Sequence, residues 1–244
     1  MKLNTDGLIL KSSRTGEQDR LVTLLTRDLG VVRAFAHGAS KAKGRSASAT
    51  ETLCYSTFTL SEHKGTYSIS EATPVELFFD LRSDIERTAL AQYFCEVAMN
   101  LVVEGEEASS ALKLMLNSLY LLSKNLRDMR LIKAVFELRM MTISGFMPDT
   151  EACCECGKTQ IHRPLFDING GVVRCDGCGG GVYITSGVLE AIRYICTAED
   201  SRIFSFELGE DSLQILSDVA ERYIISQSDR GFTALDFYKN IPKL

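Results

Sequence analysis

Four of the eight cysteines fall into two pairs, Cys153-x-x-Cys156 and Cys175-x-x-Cys178, with 18 residues between them. Two thiolates two residues apart can hold one ion from a tight turn. Two such turns facing each other complete a tetrahedral all-sulfur shell around Zn²⁺. Gly157 follows the first pair, and Gly177, Gly179, Gly180 and Gly181 surround the second. Knuckles of this kind bend backbone N–H groups toward sulfur and often need positive φ, which glycine supplies without steric cost. Phe166, Ile168, Val172 and Val173, with a turn at Asn169-Gly170-Gly171, read as the β-hairpin of a zinc ribbon.

Other fates for these thiols fit less well. The opening MKLNTDGLILK has no apolar signal stretch, so the chain reads as cytoplasmic and reducing, which disfavours disulfides. A redox Cys-x-x-Cys usually occurs singly beside a βαβ pattern, and none is visible. Catalytic zinc is disfavoured because four thiolates leave no open position for water. Iron suits the same four ligands. Cys154 competes with Cys153, but the spacing of the second pair favours Cys153 and leaves Cys154 as a spare thiol. The expectation is one structural Zn²⁺ per chain.

The composition, 45% hydrophobic and 24% charged, is ordinary for a globular protein, and no apolar run approaches the roughly 20 residues of a membrane span. The net charge of −5 hides an asymmetry. Residues 1–50 hold nine Lys/Arg against four Asp/Glu, a surplus of +5, which leaves −10 for the rest. A basic face on an acidic protein suits a polyanion, although a solvated charged surface accounts for it equally well.

The first 80 residues read as β-structure. Leu8-Ile9-Leu10 opens a strand; Leu21–Thr26 and Gly30–His37 flank a hairpin-like turn; Leu53–Ser61 and Thr66–Thr73 flank His63-Lys64-Gly65. Five short strands fit an OB-fold barrel, with a five-stranded SH3-like barrel as structural rival. Between the third and fourth strands, Gly38–Ser48 is small, polar and basic without an apolar anchor, and is expected to be mobile.

After Pro74 the period changes to that of helices. Ile85, Ala89, Phe94, Val97 and Leu101 share one face, with Ser83 or Asp84 as N-cap. Leu112–Leu122 and Leu131–Met141 repeat the pattern, the latter closed by Gly145 and Pro148. Helices resume at about Ser186–Cys196 and Asp211–Ser226, and Phe232–Tyr238 is apolar enough to dock. The expected fold class is α+β and multidomain. An N-terminal five-stranded OB-fold barrel spans 1–80; a helical bundle follows over 81–150 and resumes over 185–244; the inserted four-cysteine zinc ribbon spans 151–184.

Several stretches carry a family resemblance. Gly7-Leu8-Ile9-Leu10-Lys11 runs through Gly16-Glu17-Gln18-Asp19-Arg20-Leu21, and Leu25-Thr26-Arg27-Asp28-Leu29-Gly30 runs into Ala36-His37-Gly38-Ala39. Phe136-Glu137-Leu138-Arg139 precedes Gly145-Phe146-Met147-Pro148 and Cys153-x-x-Cys156-Gly157. Phe166 then precedes Gly170-Gly171-Val172-Val173-x-Cys175-x-x-Cys178. In this order the chain resembles the bacterial recombination mediator family RecO over essentially its full length. The resemblance implies an OB-fold joined to a helical domain with a zinc ribbon. It implies binding of single- and double-stranded DNA, annealing of complementary strands, and help for RecA in replacing single-stranded-DNA-binding protein (SSB). RecR, and RecF in some pathways, are the implied partners, at the nucleoid. Two departures stand out: family members often carry a denser Lys/Arg cluster in the loop that here holds Lys41, Lys43 and Arg45, and the tail Ala234–Tyr238 is less basic.

An annealing mediator needs phosphate neutralisation and stacking surfaces rather than a catalytic group. Arg14, Arg20, Arg33, Lys41, Lys43 and Arg45 are the candidate phosphate ligands, and Tyr55, Phe58 and Tyr67 the candidate platforms. No GxxxxGK[ST] loop supports ATP-driven action, and no His-x-Glu precedes the cysteines as a zinc deaminase requires. The expectation is a non-enzyme. A rival reading is a helical scaffold that docks the acidic C-terminal tail of SSB, with Arg127, Arg130, Lys133 and Arg139 as a cationic rim. A second rival is a zinc-ribbon and OB-fold RNA-binding factor.

Overall fold

The computed structural model describes residues 2–39, 45–228 and 230–242. Five strands, β1 (Lys2–Thr15), β2 (Asp19–Thr26), β3 (Gly30–Ala36), β4 (Tyr55–His63) and β5 (Thr66–Glu76), close into a barrel in the order β1-β2-β3-β5-β4. A meander of three strands is followed by a hairpin placed so that β5 meets β3 and β4 returns to β1, the topology of an OB-fold. Every ladder is antiparallel except β3–β5, which pairs Ala34 with Tyr67 and Phe35 with Ser68 in parallel.

Closure falls to β1. Lys2–Leu8 pair with β4, and Gly7–Thr15 pair with β2. The register shifts between Ile9 and Lys11, leaving Leu10 as a bulge that bends the strand from one ladder toward the other. Ile9 joins Val22, Leu24, Val32, Ala34, Phe58 and Leu60 in the barrel core. Leu8, on the opposite face of the pleat, is buried as well, because helix α2 (Ile85–Leu101) packs on β1 from outside.

The β3–β4 connection departs from expectation. Ala39 is buried, and the segment ends in a short helix, α1 (Arg45–Ala49), whose Ala49 joins the barrel core. Ser56 Oγ donates to the Ala49 carbonyl at 3.1 Å. Anchors of one methyl group each hold this connection, and they do not stand out in a sequence pattern built on large apolar residues. Residues 40–44, including Lys41 and Lys43, lie outside the described residues, and so does the expectation of mobility there.

The helices divide into two groups, where the sequence suggested one resumed bundle. Helix α2 packs against α3 (Ser109–Ser123) and α7 (Thr233–Lys239), completing a unit of Met1–Lys124 with Thr233–Leu244. The second unit, Asn125–Phe232, pairs α4 (Met129–Ile143) with α6 (Glu210–Gln227) and α5 (Ser186–Thr197), and also holds a small sheet. Amphipathic stripes located the helices but do not name their partners. Asp84 is the N-cap of α2, accepting from Arg87 N at 3.1 Å. Between barrel and neighbouring helices, α2 buries Leu90, Tyr93, Phe94 and Val97 around much of its circumference. Glu96 of α2 caps α7 by accepting from Thr233 N (3.1 Å) and Ala234 N (2.8 Å), and Leu235 of α7 is buried.

The β2–β3 turn is pinned from two sides. Thr26 Oγ1 accepts from Leu29 N and donates to the Gly30 carbonyl, while Ala108 N and Gly105 N of the α2–α3 loop donate to the carbonyls of Arg27 and Leu29. Gly30 has φ +61°, and a Cβ there would lie 1.9 Å from the Val103 carbonyl oxygen. Gly65 has φ +76° with open space around it. Gly65→Ala should therefore cost about 1 kcal/mol of backbone strain. Gly30→Ala should cost about 3 kcal/mol or more, because a carbonyl must also move. Urea unfolding of the two variants checks the difference, and equal losses would count against it.

Candidate metal centre and nucleic-acid face

The small sheet of the second unit is built by β6 (Pro164–Asp167), β7 (Val172–Cys175) and β8 (Val182–Tyr183), in the order β7-β6-β8. Its hairpin turn forms as the sequence suggested: Asp167 Oδ1 accepts from Asn169 N and Gly170 N, and Gly171 takes φ +62°. Arg174 on β7 pairs with Asp167 (2.6 Å) and with Glu155 of the first knuckle (3.4 Å), fastening the hairpin to it. The Arg174 guanidinium, with the N–H groups of the turn, holds the Asp167 carboxyl below its usual range.

The two cysteine pairs converge here. The sulfurs of Cys153, Cys156, Cys175 and Cys178 all lie within 4.8 Å of one another. Cys156 and Cys175 sulfurs stand 3.8 Å apart, too far for a disulfide and close to the tetrahedral edge of about 3.8 Å implied by Zn–S bonds of about 2.3 Å. Glycines shape both knuckles: Gly157 has φ +72° and donates to the Cys153 carbonyl, and Gly177 has φ +95°. Cys175 N points at Cys153 Sγ at 3.3 Å. N–H donation from Cys156 leads the effects that draw the Cys153 thiol down to about 6. Burial, then contacts with Cys156 and Cys153, pushes Cys175 up to about 12; contact with Cys156, then burial, pushes Cys178 up to about 11. Four sulfur donors at these distances fit a single tetrahedral cation, which would favour their deprotonated form. Cys154, exposed, lies outside the cluster and its N–H donates to the Val173 carbonyl.

On the barrel, two concavities gather the basic residues. The larger, about 880 Å³, lies between the outer face of β1–β3, the tip of the β4–β5 hairpin and the end of α2. Lys11, Thr23 and Arg33 form one cross-strand row on its floor, and Ser13, Leu21 and Phe35 the next. Among the described residues neither Lys11 nor Arg33 has a carboxylate partner. Phe35 stacks on His37 with ring planes 8° apart and centroids 6.1 Å apart. His37 also meets Asp19 at 2.9 Å, and the Gly38 N–H and His37 together hold that carboxyl below its usual range. Tyr67 lines the wall. The smaller concavity, about 360 Å³, is lined by Arg14, Arg20, Arg82 and Glu51.

The six candidate phosphate ligands are therefore not one cluster. Arg33 lies on the first concavity and Arg14 and Arg20 on the second; Arg45 opens α1, and Lys41 and Lys43 fall outside the described residues. Of the candidate platforms, Phe58 is barrel core and Tyr55 donates to Asp6 at 2.6 Å, which leaves Tyr67. Phe35 and Lys11, outside the candidate set, also line the larger concavity. The signal was present: Val32, Ala34 and Ala36 alternate inward, so Arg33 and Phe35 must face out.

The four candidate rim residues are held by internal partners. Lys133 is 2% exposed and sits 2.9 Å from both Glu137 and Glu221, so it cannot rim a surface groove. Burial opposes its charge, but the two carboxylates outweigh that and raise its pKa. Arg130 pairs with Asp128 and Glu210, and Arg127 with Glu207. Arg139 donates to the Ile195 and Cys196 carbonyls at the end of α5 and pairs with Asp200.

A closed OB-type barrel, a helical region and a four-thiol cluster define the class: a multidomain α+β protein whose clustered cysteines could hold one metal ion. The family model described as Recombination protein O N terminal matches residues 1–78, and the one described as Recombination protein O C terminal matches residues 82–236. A DNA repair protein RecO of Acetivibrio thermocellus is 34% identical, over 99% of this chain and 98% of its own. That of Clostridium novyi is 33% identical, over 87% and 85%, and that of Alkaliphilus metalliredigens 26%, over 99% and 100%. The chain belongs to the recombination protein O family.

The cluster generates a test of ligand register. Cys175→Ser should lower bound metal and thermal stability together, because binding free energy in such sites is folding free energy. Cys154→Ser should leave both at the parent level. Elemental analysis and melting curves measure them, and metal loss in Cys154→Ser would show the register to be wrong.

Proposed function

We propose that this chain is a DNA-binding recombination mediator that acts in DNA repair, in the cytoplasm at the nucleoid. In this reading it binds and anneals DNA strands. With RecR, and RecF in some pathways, it helps load RecA onto single-stranded DNA coated by SSB, whose C-terminal tail it meets. Family membership and the names of the relatives support the repair role. The observation that carries the mechanism is the β2–β3 face. It offers the cations Lys11 and Arg33, free of carboxylate partners among the described residues, beside the stacked rings of Phe35 and His37. This is the barrel surface that OB-folds use for oligonucleotides.

The chemistry follows from those groups. Lys11 and Arg33 neutralise phosphates and release counterions, Phe35 and Tyr67 offer rings to bases, and none of these interactions depends on sequence. Lys41, Lys43 and Arg45 of the β3–β4 connection are further candidate phosphate ligands in this reading. Lowering strand repulsion while leaving base edges free is what annealing requires, so no catalytic group and no ATP enter. Cys153, Cys156, Cys175 and Cys178 would hold one Zn²⁺, which would supply a cross-link between the two knuckles. No helix among the described residues is long and apolar enough to cross a membrane.

Lys11→Gln with Arg33→Gln should weaken single-strand binding for all base compositions. The slope of log K against log salt should flatten by about 0.7 for each phosphate that is no longer neutralised. Fold and metal content should persist, since both side chains are exposed. Fluorescence anisotropy over a salt series measures it, and annealing by the parent should proceed without ATP. An unchanged slope would remove the site from this face.

A further inference from the structure

Successive residues of β1 supply different concavities. Lys11 and Ser13 line the larger, while Ser12 and Arg14 line the smaller, on the opposite face of the β1–β2 ribbon. On β2 the same split separates Leu21 and Thr23 from Arg20. Val22 shares the second face and is barrel core. Arg20 and Arg14, one step further out, occupy positions that alternation alone would assign to a core.

Arg14 and Arg20 are directly opposed cross-strand partners. Two like charges in that position destabilise a ladder unless an anion meets them. Arg82 adds a third guanidinium, and among the described residues Glu51 is the one carboxylate of the lining, 3.0 Å from Arg82. Two of the three guanidiniums are fixed by the protein. Arg20 donates to the Ala47 carbonyl (3.1 Å) and Thr50 Oγ1 (3.4 Å), and Arg82 lies over the Phe79 ring, 5.4 Å from its centroid. Fixed guanidinium forks lose little freedom on meeting an oxyanion, and their planar geometry suits phosphate. Among the described residues no aromatic ring lines this concavity; Ser12, Thr52, Thr88 and Gln92 complete its polar wall.

We infer that Arg14, Arg20 and Arg82 form a second nucleic-acid site, which takes the phosphodiester backbone of a duplex without touching bases. It lies on the reverse face of the β1–β2 ribbon from the single-strand site. One chain then holds a single strand by stacking and charge and a duplex arm by charge alone. The inference rests on the reading that this chain binds DNA.

The test uses the full chain with an oligothymidine and a blunt hairpin duplex. Arg14→Ala with Arg82→Ala spares Arg20, which braces α1. This variant should lose about tenfold or more in duplex affinity, with a salt slope flattened by about 0.9 for each phosphate set free, and keep its oligothymidine affinity. Lys11→Gln with Arg33→Gln should show the converse. Native mass spectrometry of the parent should show one chain carrying both ligands, and the Arg14/Arg82 variant only the oligothymidine. Parent-level duplex binding by that variant, or equal loss of both ligands, would overturn the second site and leave the DNA reading standing. A parent that binds neither ligand would overturn both.

Discussion

Barrel closure by a single bent strand is the constraint on which the N-terminal half of the molecule depends. β1 is a partner in two ladders, which overlap at Gly7 and Leu8, and the bulge at Leu10 just beyond that overlap bends the strand of 14 residues along β2. Gly7 stands where the ladders overlap, so close to β2 that an added Cβ would lie 2.6 Å from the Leu25 carbonyl oxygen. The bend directs the outer half of β1 along β2 past the end of the core. There the two strands leave the barrel as a ribbon with two usable faces. A straight β1 would give an open sheet and no such ribbon.

The second unit is organised by a different balance. Its helices meet around Lys133, Glu137 and Glu221, a buried cation between two carboxylates. Removing one partner from such a group leaves an uncompensated buried charge, whereas replacing the group by apolar side chains of equal volume is often neutral. The triad therefore fixes how α4 meets α6 more than it strengthens the contact. Beside it, the small sheet buries Phe166 and Val173 and relies on thiols, Arg174 and the Asp167 turn for its shape.

Legibility followed the range of the interaction. The four cysteines were readable because ligand spacing is local to each knuckle and chemistry pairs the knuckles. Strands and helices were readable from periods of two and 3.6 residues. Helix partners were not, since a stripe such as Leu131, Val135 and Leu138 says that a face is covered and not by what. Lys133, Arg130 and Arg139 resembled a surface rim because the partners that complete their surroundings, Glu221 and Glu210 of α6 and the Ile195, Cys196 and Asp200 groups around the end of α5, lie many residues away, although Glu137 and Asp128 are near in sequence. Phe35 was hidden by its neighbours: within an apolar strand it looks like core until the inward phase is fixed by Val32 and Ala34. Arg14 and Arg20 were legible as cations, but their opposition across a ladder depends on a register shift that composition does not reveal.

The Glu96 cap on α7 has a consequence for the order of assembly. The unit that contains the barrel is made from chain on both sides of Asn125–Phe232. During synthesis the barrel strands and α2 emerge early, but the α2 surface that receives Leu235 stays uncovered until the whole intervening unit has been made. The second unit, contiguous in sequence, meets no such delay. Folding is therefore nested, with the later-begun unit able to finish first. A released chain ending just before Thr233 would carry all of the inner unit and an outer one still lacking its lid.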